Sequence, residues 1–240
     1  MKDEIFAEGD FKSGSFRFDD GVANCFDDMA NRCIPYYREV IQITASAALK
    51  FLPENGTVLD IGCSTGNTLL FIAKTLSDKN VKLIGIDPSE SMLKKAEEKS
   101  SVFTYSHDIE FQMGDAESCE LPDCDMIIMN YTLQFIPVSK RKDVIKRMYK
   151  ALKPGGVLIL SEKLRQEDQD VEDFNTETYE AFKAGNGYSY LEIANKRQAL
   201  ENILVPGSLT GNLSLLNESG FSRVEILFKW LNFTTFLAIK

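Results

Sequence analysis

The feature that most constrains the fold of this chain is an apolar segment that runs directly into a loop of small residues. Residues 57–61 read TVLDI, residues 62–66 read GCSTG, and apolar residues resume over 69–73. Turn-forming residues precede the first segment and helix-forming residues follow the loop, so the pattern predicts a buried parallel strand that feeds a helix. Because the loop lacks bulky side chains, its backbone can approach a bound ligand closely.

A carboxylate closes the next predicted strand. Residues 81–86 lead to Asp87, 21 residues after Gly66, where a carboxylate can accept hydrogen bonds from both hydroxyls of a ribose. Asp60 precedes the loop, and Ser64 replaces the middle glycine of a dinucleotide fingerprint. A loop carboxylate repels a pyrophosphate but can meet a cationic amino-acid group. The sequence therefore favours S-adenosylmethionine over the alternatives, which are NAD or FAD and a glycine-rich turn without a ligand.

Strands and helices alternate through the middle of the chain, which predicts a parallel sheet with helices on both faces. Two amphipathic helices come first, one opened by Asp19 and one after Pro35. The elements predicted next are strand 57–61, helix 66–77, strand 81–86, helix 89–99, strand 109–113, strand 124–130, helix 139–152 and strand 156–162. Pro154 must lie beyond the end of the last of these helices.

The rest of the chain predicts an insertion and a closing pair of strands. Charged and helix-forming residues fill about 163–205, where we expect a helical insertion with a break at 183–188. A last helix ends near Gly220, and segments 221–228 and 233–239 predict two antiparallel strands. Residues 1–240 are thus predicted to form a single S-adenosylmethionine-binding α/β domain with a Rossmann-like, seven-stranded and mostly parallel sheet.

Charge and hydropathy exclude several classes of function. The net charge of −9 argues against capture of nucleic acid or an anionic membrane. Basic side chains do cluster over 140–153, mostly opposite the apolar face of the predicted helix, which favours a solvated face over the alternative of an RNA contact. No apolar stretch is long enough to span a bilayer, and residues 1–5 do not resemble a signal peptide. We therefore expect a cytoplasmic protein without stable nucleic-acid or membrane binding.

The cysteines and the single histidine give little support to metal or nucleophilic chemistry. The five cysteines show no CxxC pairing, so neither a disulfide scaffold nor a metal site is expected. His107 lies in a polar stretch that predicts a surface loop, and one histidine disfavours a Ser-His-Asp triad. Cys63 is interpreted as a small residue that fits a tight loop.

Two more polar residues follow predicted strands. Asp115 comes after the third strand, at the sheet edge where an adenine would lie, although a simple turn carboxylate is the alternative. Asn130 ends the fourth strand, near the place of the transferred carbon, but no Pro-Pro-aromatic run follows it. Methylation of a base amino group is therefore disfavoured. No histidine, carboxylate pair or activated cysteine is evident as a general base.

Six segments outside the nucleotide loop are not shared by ordinary methyltransferases. They are 16–19, 133–136, 158–163, 182–189, 196–202 and 231–233. Together they resemble the carboxy-S-adenosyl-L-methionine synthase family, within the class I S-adenosylmethionine-dependent methyltransferase superfamily. The resemblance covers nearly the whole chain and implies the fold predicted above.

The resemblance also implies an activity. Members of this family convert S-adenosylmethionine and prephenate to carboxy-S-adenosylmethionine and phenylpyruvate, as homodimers, and a separate tRNA carboxymethyltransferase uses the product to build wobble uridine-5-oxyacetate. Prephenate itself would supply the base, which suits a pocket without histidine. A conventional methyltransferase acting on a small molecule or tRNA stays open as an alternative, as does a non-catalytic nucleotide-binding partner of a tRNA-modifying enzyme.

The resemblance implies site residues as well. The positions that correspond to family ligand contacts are Tyr37, Gly62, Cys63, Ser64, Asp87, Asp115 and Asn130, with Pro88 and Ala116 at contact positions whose side chains can vary; Asp60 joins the predicted cofactor site on the charge argument above. Arg197 corresponds to the catalytic-site arginine that holds the new carboxylate through two parallel hydrogen bonds. The chain departs from the family pattern at Tyr36, where the family has glycine, and over 229–235, which includes Thr234. These departures concern the prephenate site more than the fold.

Overall fold

The computed structural model describes residues 1–9, 11–77, 79–102 and 108–240. His107 lies outside the described residues. The helices are α1 (Asp20–Cys33), α2 (Tyr37–Phe51), α3 (Asn67–Thr75), α4 (Glu90–Ser100), α5 (Val138–Ala151), α6 (Gln169–Gly185), α7 (Tyr190–Leu200) and α8 (Leu209–Glu218). The strands are β1 (Thr57–Ile61), β2 (Lys82–Asp87), β3 (Asp108–Met113), β4 (Cys124–Asn130), β5 (Leu152–Lys163), β6 (Arg223–Trp230) and β7 (Phe233–Ile239).

The seven strands form one sheet in the order β3-β2-β1-β4-β5-β7-β6. The five strands β1 to β5 pair in parallel, whereas β7 runs antiparallel to both β5 and β6. The predicted seven-stranded, mostly parallel sheet is confirmed. Because the chain moves outward from β1 to β3 and then returns to β4, the loops after β1 and β4 diverge and leave a crevice at the carboxyl edge.

Alternating side chains of the central strands enter two separate apolar clusters. Leu59 and Ile127 pack on the face covered by α5 and α8, and Val58 and Ile128 pack on the face covered by α2 and α3. All four are fully buried. Parallel strands buried on both faces are expected to read as continuous apolar runs, as these strands do. The two clusters fix the sheet rigidly behind its carboxyl edge.

The ends of the predicted elements are mostly set by local chemistry. Asp19 caps α1 by accepting a hydrogen bond from the amide of Val22, and Ser89 caps α4 in the same way. Helix α5 ends at Ala151, before Pro154 as predicted. Strand β5 begins at Leu152 rather than at 156, because Leu152 already pairs with Cys124 before an irregularity in the ladder.

Helices α6 and α7 occupy the predicted insertion and contact each other. Together with α1 they surround a third apolar cluster that includes Phe16, Met29 and Ile193. The break between α6 and α7 contains Gly187, with a φ of 87°, and a capping box in which Ser189 and Glu192 satisfy each other's backbone amides. This arrangement places one face of α6 and α7 beside the carboxyl edge of the sheet.

Candidate functional site

A cavity of about 770 Å³ opens at the carboxyl edge of the sheet. Its walls come from the ends of β1, β2, β4 and β5 and from α1, α2, α6 and α7. Its size suits a nucleotide-sized ligand, since small-molecule sites commonly enclose roughly 300–1,000 Å³. Of the eleven residues predicted for the site, nine line this cavity: Tyr37, Asp60, Gly62, Cys63, Ser64, Asp87, Pro88, Asn130 and Arg197.

The loop after β1 is held in a conformation that requires a small residue. Gly62 has a φ of 77°, and a Cβ at this position would lie 2.3 Å from the Oγ1 of Thr132. Ser64 also has a positive φ, of 50°. The amides of Gly62 and Cys63 both donate to the carbonyl of Ile86. The loop therefore packs directly against the end of β2 and the residues after β4, with no room for a side chain at Gly62.

Two buried carboxylates lie beside this loop. Both oxygens of Asp87 accept hydrogen bonds of 2.9 Å, one from the amide of Ser64 and one from the amide of Ser89. Burial raises the pKa of Asp87, and those two amides oppose the rise. Asp60 is 2% exposed. Burial, and then the neighbouring charge of Asp87, raise the pKa of Asp60 to about 8. This end of the cavity therefore favours a cation.

A polar cluster fastens α1 to the loop. Lys99 donates to the carbonyl and hydroxyl of Thr65 and to the side chain of Asn67, and it lies 2.6 Å from a carboxylate oxygen of Asp27. The other oxygen of Asp27 accepts from Thr65 and Asn67. Hydrogen bonding to Lys99 lowers the pKa of Asp27 although burial opposes this change. The loop is thus supported from outside as well as from the sheet.

Asn130 is oriented by a short chain of hydroxyl groups. Its Oδ1 accepts a 2.7 Å hydrogen bond from Ser161, and the Ser161 hydroxyl lies 3.0 Å from that of Thr235. The next residue, Tyr131, has a φ of 57° and lines the cavity. Its buried hydroxyl has no hydrogen-bond partner among the described residues.

The wall opposite the loop is basic and aromatic. Lys163 is the last residue of β5, and its Nζ lies 4.9 Å from the centre of the Tyr179 ring. Lys183 of α6 lies 4.4 Å from the same ring and is 8% exposed. Burial lowers the pKa of both lysines, to about 8 for Lys183. Neither side chain was predicted for the site, because a lysine at a strand end or in a charged helical segment looks like a solvated residue in the sequence.

Arg197 lies on α7 at the rim of this basic wall. Its guanidinium is 2.8 Å from a carboxylate oxygen of Glu180, and its side chain is 66% exposed. The neighbouring Lys196 is half-buried and contacts Asp3 and the sulfur of Cys33 instead. The structure thus brings Arg197 into the same cavity as the nucleotide loop, at its more open side.

The two remaining predicted residues, Asp115 and Ala116, do not belong to the lining of the cavity. The carboxylate of Asp115 accepts hydrogen bonds from the amides of Glu117 and Ser118, and this turn lowers its pKa together with the Ser118 hydroxyl. The carbonyl of Ala116 accepts from Arg147. Their contact with an adenine stays a prediction.

The departures at Tyr36 and 229–235 meet in space. Tyr36 has a φ of 56°, a conformation in which glycine is favoured. Its ring lies 5.6 Å from that of Phe228 and 6.2 Å from that of Trp230. Trp230 in turn contacts Phe182 of α6. The other departure, Thr234, pairs with Glu162 across β5 and β7, and its hydroxyl has no partner within the described ranges.

Among residues 1–9, 11–77, 79–102 and 108–240, no group of three or more histidine, cysteine, aspartate or glutamate side chains could hold a metal ion. The described part of the chain also contains no helix that is both long and apolar enough to cross a membrane.

Comparison with known proteins decides the family. Residues 58–156 match a family model described as a methyltransferase domain. The chain is 44% identical to the carboxy-S-adenosyl-L-methionine synthase of Campylobacter jejuni, with 100% of both chains covered. It is 45% identical to the protein of the same name from Wolinella succinogenes, covering 100% of this chain and 99% of that one. The chain belongs to the carboxy-S-adenosyl-L-methionine synthase family.

Solved structures confirm the predicted Rossmann-like class I methyltransferase fold. Magnesium protoporphyrin IX methyltransferase from Synechocystis, solved with bound SAH, has a TM-score of 0.62 at 15% identity, over 88% of this chain and 87% of that one. Human N-acetylserotonin methyltransferase, solved in complex with SAM, has a TM-score of 0.62 at 18% identity, over 92% of this chain and 55% of that one. At these identities the likeness concerns the fold alone.

Proposed function

We propose that this enzyme converts S-adenosylmethionine and prephenate to carboxy-S-adenosylmethionine and phenylpyruvate. The observation that carries the proposal is a single cavity with buried carboxylates at one end and cationic side chains at the other. A conventional methyltransferase would need only the first end. Family membership and the basic wall together favour a second, anionic substrate.

S-adenosylmethionine fits the acidic end by its chemistry. Its ribose hydroxyls would donate to Asp87, and its ammonium group would lie near Asp60. The small residues of the loop, above all Gly62, leave the backbone accessible to the ligand. Asn130 ends β4, and its side chain is already oriented by Ser161. The methyl group would then point toward the middle of the cavity.

The proposed reaction balances without a base from the protein. Prephenate loses its ring carboxyl as carbon dioxide and its ring hydroxyl as a leaving group, which leaves phenylpyruvate. The hydroxyl takes one proton from the sulfonium methyl group and departs as water, and the methyl carbon then bonds to the carbon dioxide. The role of Arg197 would be to bind the carboxylate so formed, since its five donors can serve both that group and Glu180.

Incubation with both substrates tests the proposal directly. We expect the purified enzyme to produce phenylpyruvate and carboxy-S-adenosylmethionine in equal amounts without tRNA, as measured by mass spectrometry. The ligand that copurifies should be heavier than S-adenosylmethionine by one carboxyl group. Unchanged prephenate, together with transfer of a methyl group to another acceptor, would replace this proposal with the conventional methyltransferase.

The remaining expectations concern partners. We infer that the product passes to a separate tRNA carboxymethyltransferase for wobble uridine-5-oxyacetate synthesis in the cytoplasm. The net charge of −9 supports the absence of stable tRNA or membrane binding by this enzyme. A gel-shift titration with tRNA should therefore show no complex at micromolar concentration.

We further infer a homodimer. Four large apolar side chains on α6 and α7 are between 44% and 71% exposed: Val171, Phe174, Tyr190 and Leu191. Exposed apolar residues grouped on adjacent helices are typical of interfaces. Light scattering at micromolar concentration should give about twice the chain mass of 27.0 kDa. A monomer at that concentration would rule out this assembly.

A further inference from the structure

Two lysines of the cavity have no anionic partner within the described ranges. The structure shows no ion pair or hydrogen bond to the Nζ of Lys183 or Lys163, although both side chains line the cavity. Lys183 is 8% exposed. The ring face of Tyr179 contacts both ammonium groups, while the Tyr179 hydroxyl donates to the carbonyl of Cys33. The ring is thus fixed, and each of the two charges is held within 5 Å of its centre.

Such an arrangement costs folding free energy. A buried ammonium group loses its hydration, and a cation–π contact replaces only part of it. Glu180 of α6, whose charge acts on both lysines, is paired with Arg197 at 2.8 Å and forms no ion pair with either lysine. Burial is the largest cause that lowers the pKa of Lys183; the charges of Lys163 and Lys196 lower it further, while Cys33 and Glu180 oppose the change. Two cavity cations, one buried and one partly buried, without an ion pair to a described carboxylate point to a ligand that brings the negative charge.

We propose that Lys183 and Lys163 bind the carboxylate that the second substrate retains, the α-keto acid group that becomes part of phenylpyruvate. This inference rests on the proposed function and identifies the part of the site that recognises its co-substrate. Prephenate has two carboxylates with different fates. Arg197, at the open rim, suits the one that is transferred, whereas the lysine pair suits the one that stays.

The placement of the two cation sites supports this division. Lys163 is the last residue of β5, two residues past Ser161, which pairs with Asn130 at the end of β4, so the lysine and the end of β4 face the same cavity. Tyr179 and Phe233, whose rings are 5.1 Å apart, provide an apolar surface beside the lysines for the ring of the substrate. A carboxylate on this surface would neutralise both ammonium groups at once.

Lys183→Gln tests the proposal with phenylpyruvate and prephenate as probes. We expect the KM for prephenate and the inhibition constant for phenylpyruvate both to rise about 10- to 100-fold, the loss typical of a charge-assisted hydrogen bond. The Kd for S-adenosylmethionine should stay within about twofold. The exposed Lys140→Gln is the matched control and should change none of the three. Lys163→Gln should act in the same direction as Lys183→Gln.

Arg197→Ala separates the two cation sites. It should weaken binding of carboxy-S-adenosylmethionine and leave the Kd for phenylpyruvate nearly unchanged, the reverse of Lys183→Gln. If Lys183→Gln weakened S-adenosylmethionine binding as much as phenylpyruvate binding, the lysine would instead be assigned to the methionine carboxylate. That result would overturn the proposal. An unchanged KM for prephenate in an active enzyme would overturn it as well, while leaving the proposed function intact.

The stability of the enzyme without ligands distinguishes a binding role of Lys183 from a purely structural one. If Lys183 serves ligand binding, removal of its unpaired buried charge should leave the melting temperature of the enzyme without ligands unchanged or raise it. Lys183→Met should therefore be at least as stable as the parent. A lower melting temperature with unchanged phenylpyruvate affinity would show that the lysine serves the fold. If the parent itself consumes no prephenate, the proposed function fails first, and the phenylpyruvate Kd still reports on the lysine pair.

Discussion

The two ends of the cavity are built in opposite ways. At the acidic end, the amides of Ser64 and Ser89 hold the carboxylate of Asp87, and the loop that contains Ser64 packs tightly against β2 and β4. At the basic end, Lys163 and Lys183 project from a strand end and a helix and make no hydrogen bond through Nζ to any described residue. One end is preorganised by the protein, and we propose that the other is completed by its ligand.

This difference has a physical consequence. A carboxylate that already accepts two amide hydrogen bonds needs little further ordering or desolvation when a ligand binds. Its interaction with the ligand therefore contributes mainly to affinity and orientation. Unpaired buried cations instead destabilise the empty enzyme and gain most when an anion arrives. Substitutions at the acidic end should therefore damage the fold and the affinity together, whereas substitutions at the basic end should separate them.

The largest effect is expected at Gly62. Gly62→Ala would place a Cβ 2.3 Å from Thr132 in a backbone with a φ of 77°. Backbone strain of about 1–2 kcal/mol and overpacking of about 1–3 kcal/mol should lower the free energy of unfolding and abolish S-adenosylmethionine binding. Gly155→Ala is a matched control, because its φ is 80° but nothing lies within 4 Å. Denaturant titration should show a loss of only about 1–2 kcal/mol for the control.

Asp87→Ala should have the next largest effect. It removes the acceptor of two buried amides, so stability should fall by about 1–3 kcal/mol. Loss of the ribose contact should also weaken S-adenosylmethionine binding by about 1.5–3 kcal/mol, which raises the Kd roughly 10- to 150-fold. Calorimetric titration measures this Kd. Asp115→Ala is the comparison at an exposed position outside the cavity. If Asp115→Ala raises the Kd for S-adenosylmethionine as much as Asp87→Ala does, Asp115 contacts the adenine, as the resemblance implies. The turn after β3 that holds Asp115 would then move toward the cavity on binding.

Arg197→Ala should have a smaller effect that is confined to the product. The side chain is 66% exposed and already paired with Glu180. Its contribution to carboxy-S-adenosylmethionine binding should therefore lie between that of an exposed ion pair and that of a buried ion pair, at about 1–2 kcal/mol. The Kd for S-adenosylmethionine should not change, nor should the melting temperature. Competition between the two ligands, followed by mass spectrometry, measures the preference.

The same contrast explains what the sequence could predict. The loop at Gly62 and the carboxylate of Asp87 lie in a continuous strand-loop-helix pattern, in which each residue is constrained by its neighbours. The capping residues of α1 and α4 were predictable for the same local reason. The mostly parallel character of the sheet followed from the alternation of strands and helices, because parallel strands need helical crossovers.

The basic wall could not be predicted in this way. Lys163, Lys183 and Arg197 come from three elements, β5, α6 and α7, and they meet only at the cavity that the folded chain encloses. Resemblance pointed to Arg197 by matching a motif, whereas Lys183 has no local signature that distinguishes it from a solvated lysine. The aromatic residues that surround the wall, such as Tyr179, look like ordinary helix-core residues in the sequence.

Proton release should report on the acidic end with a modest signal. Because the pKa of Asp60 is raised to about 8, this carboxyl is mostly protonated at pH 7 in the free enzyme. A bound ammonium group favours the charged form and should release a fraction of one proton. Calorimetry of S-adenosylmethionine binding in buffers of different ionisation enthalpy measures it. Asp60→Asn should abolish the release, and Asp115→Ala should preserve it.

The sign of the pH dependence follows from the same shift. A carboxyl whose pKa is higher in the folded state than in the unfolded state stabilises the fold most below its unfolded pKa of about 4. That contribution is lost as the pH rises to about 8. Because the bound ammonium group favours the ionised form of Asp60, S-adenosylmethionine affinity should increase from pH 6 to pH 8 in the parent. It should not change with pH in Asp60→Asn. Equal slopes in the two proteins would place the ammonium group away from Asp60.

The smallest effect is expected at Tyr36 and Trp230, where the departures from the family pattern meet beside the basic wall. Tyr36→Gly relieves a φ of 56°, worth about 1–2 kcal/mol, but removes ring contacts with Phe228 and Trp230. The two changes should nearly cancel in the free energy of unfolding. Trp230→Cys alone should destabilise the protein, because the ring also contacts Phe182.

A double-mutant cycle isolates the contact between the two rings. We expect the coupling between Tyr36→Gly and Trp230→Cys to be about 0.5–1.5 kcal/mol, the range for an aromatic pair, measured by denaturant unfolding. A positive coupling would mean that the tyrosine offsets its backbone strain by packing on the tryptophan, so each departure makes the other tolerable. Additive effects would instead mean that Tyr36 keeps its conformation for a reason outside this pair, such as the start of α2 at Tyr37.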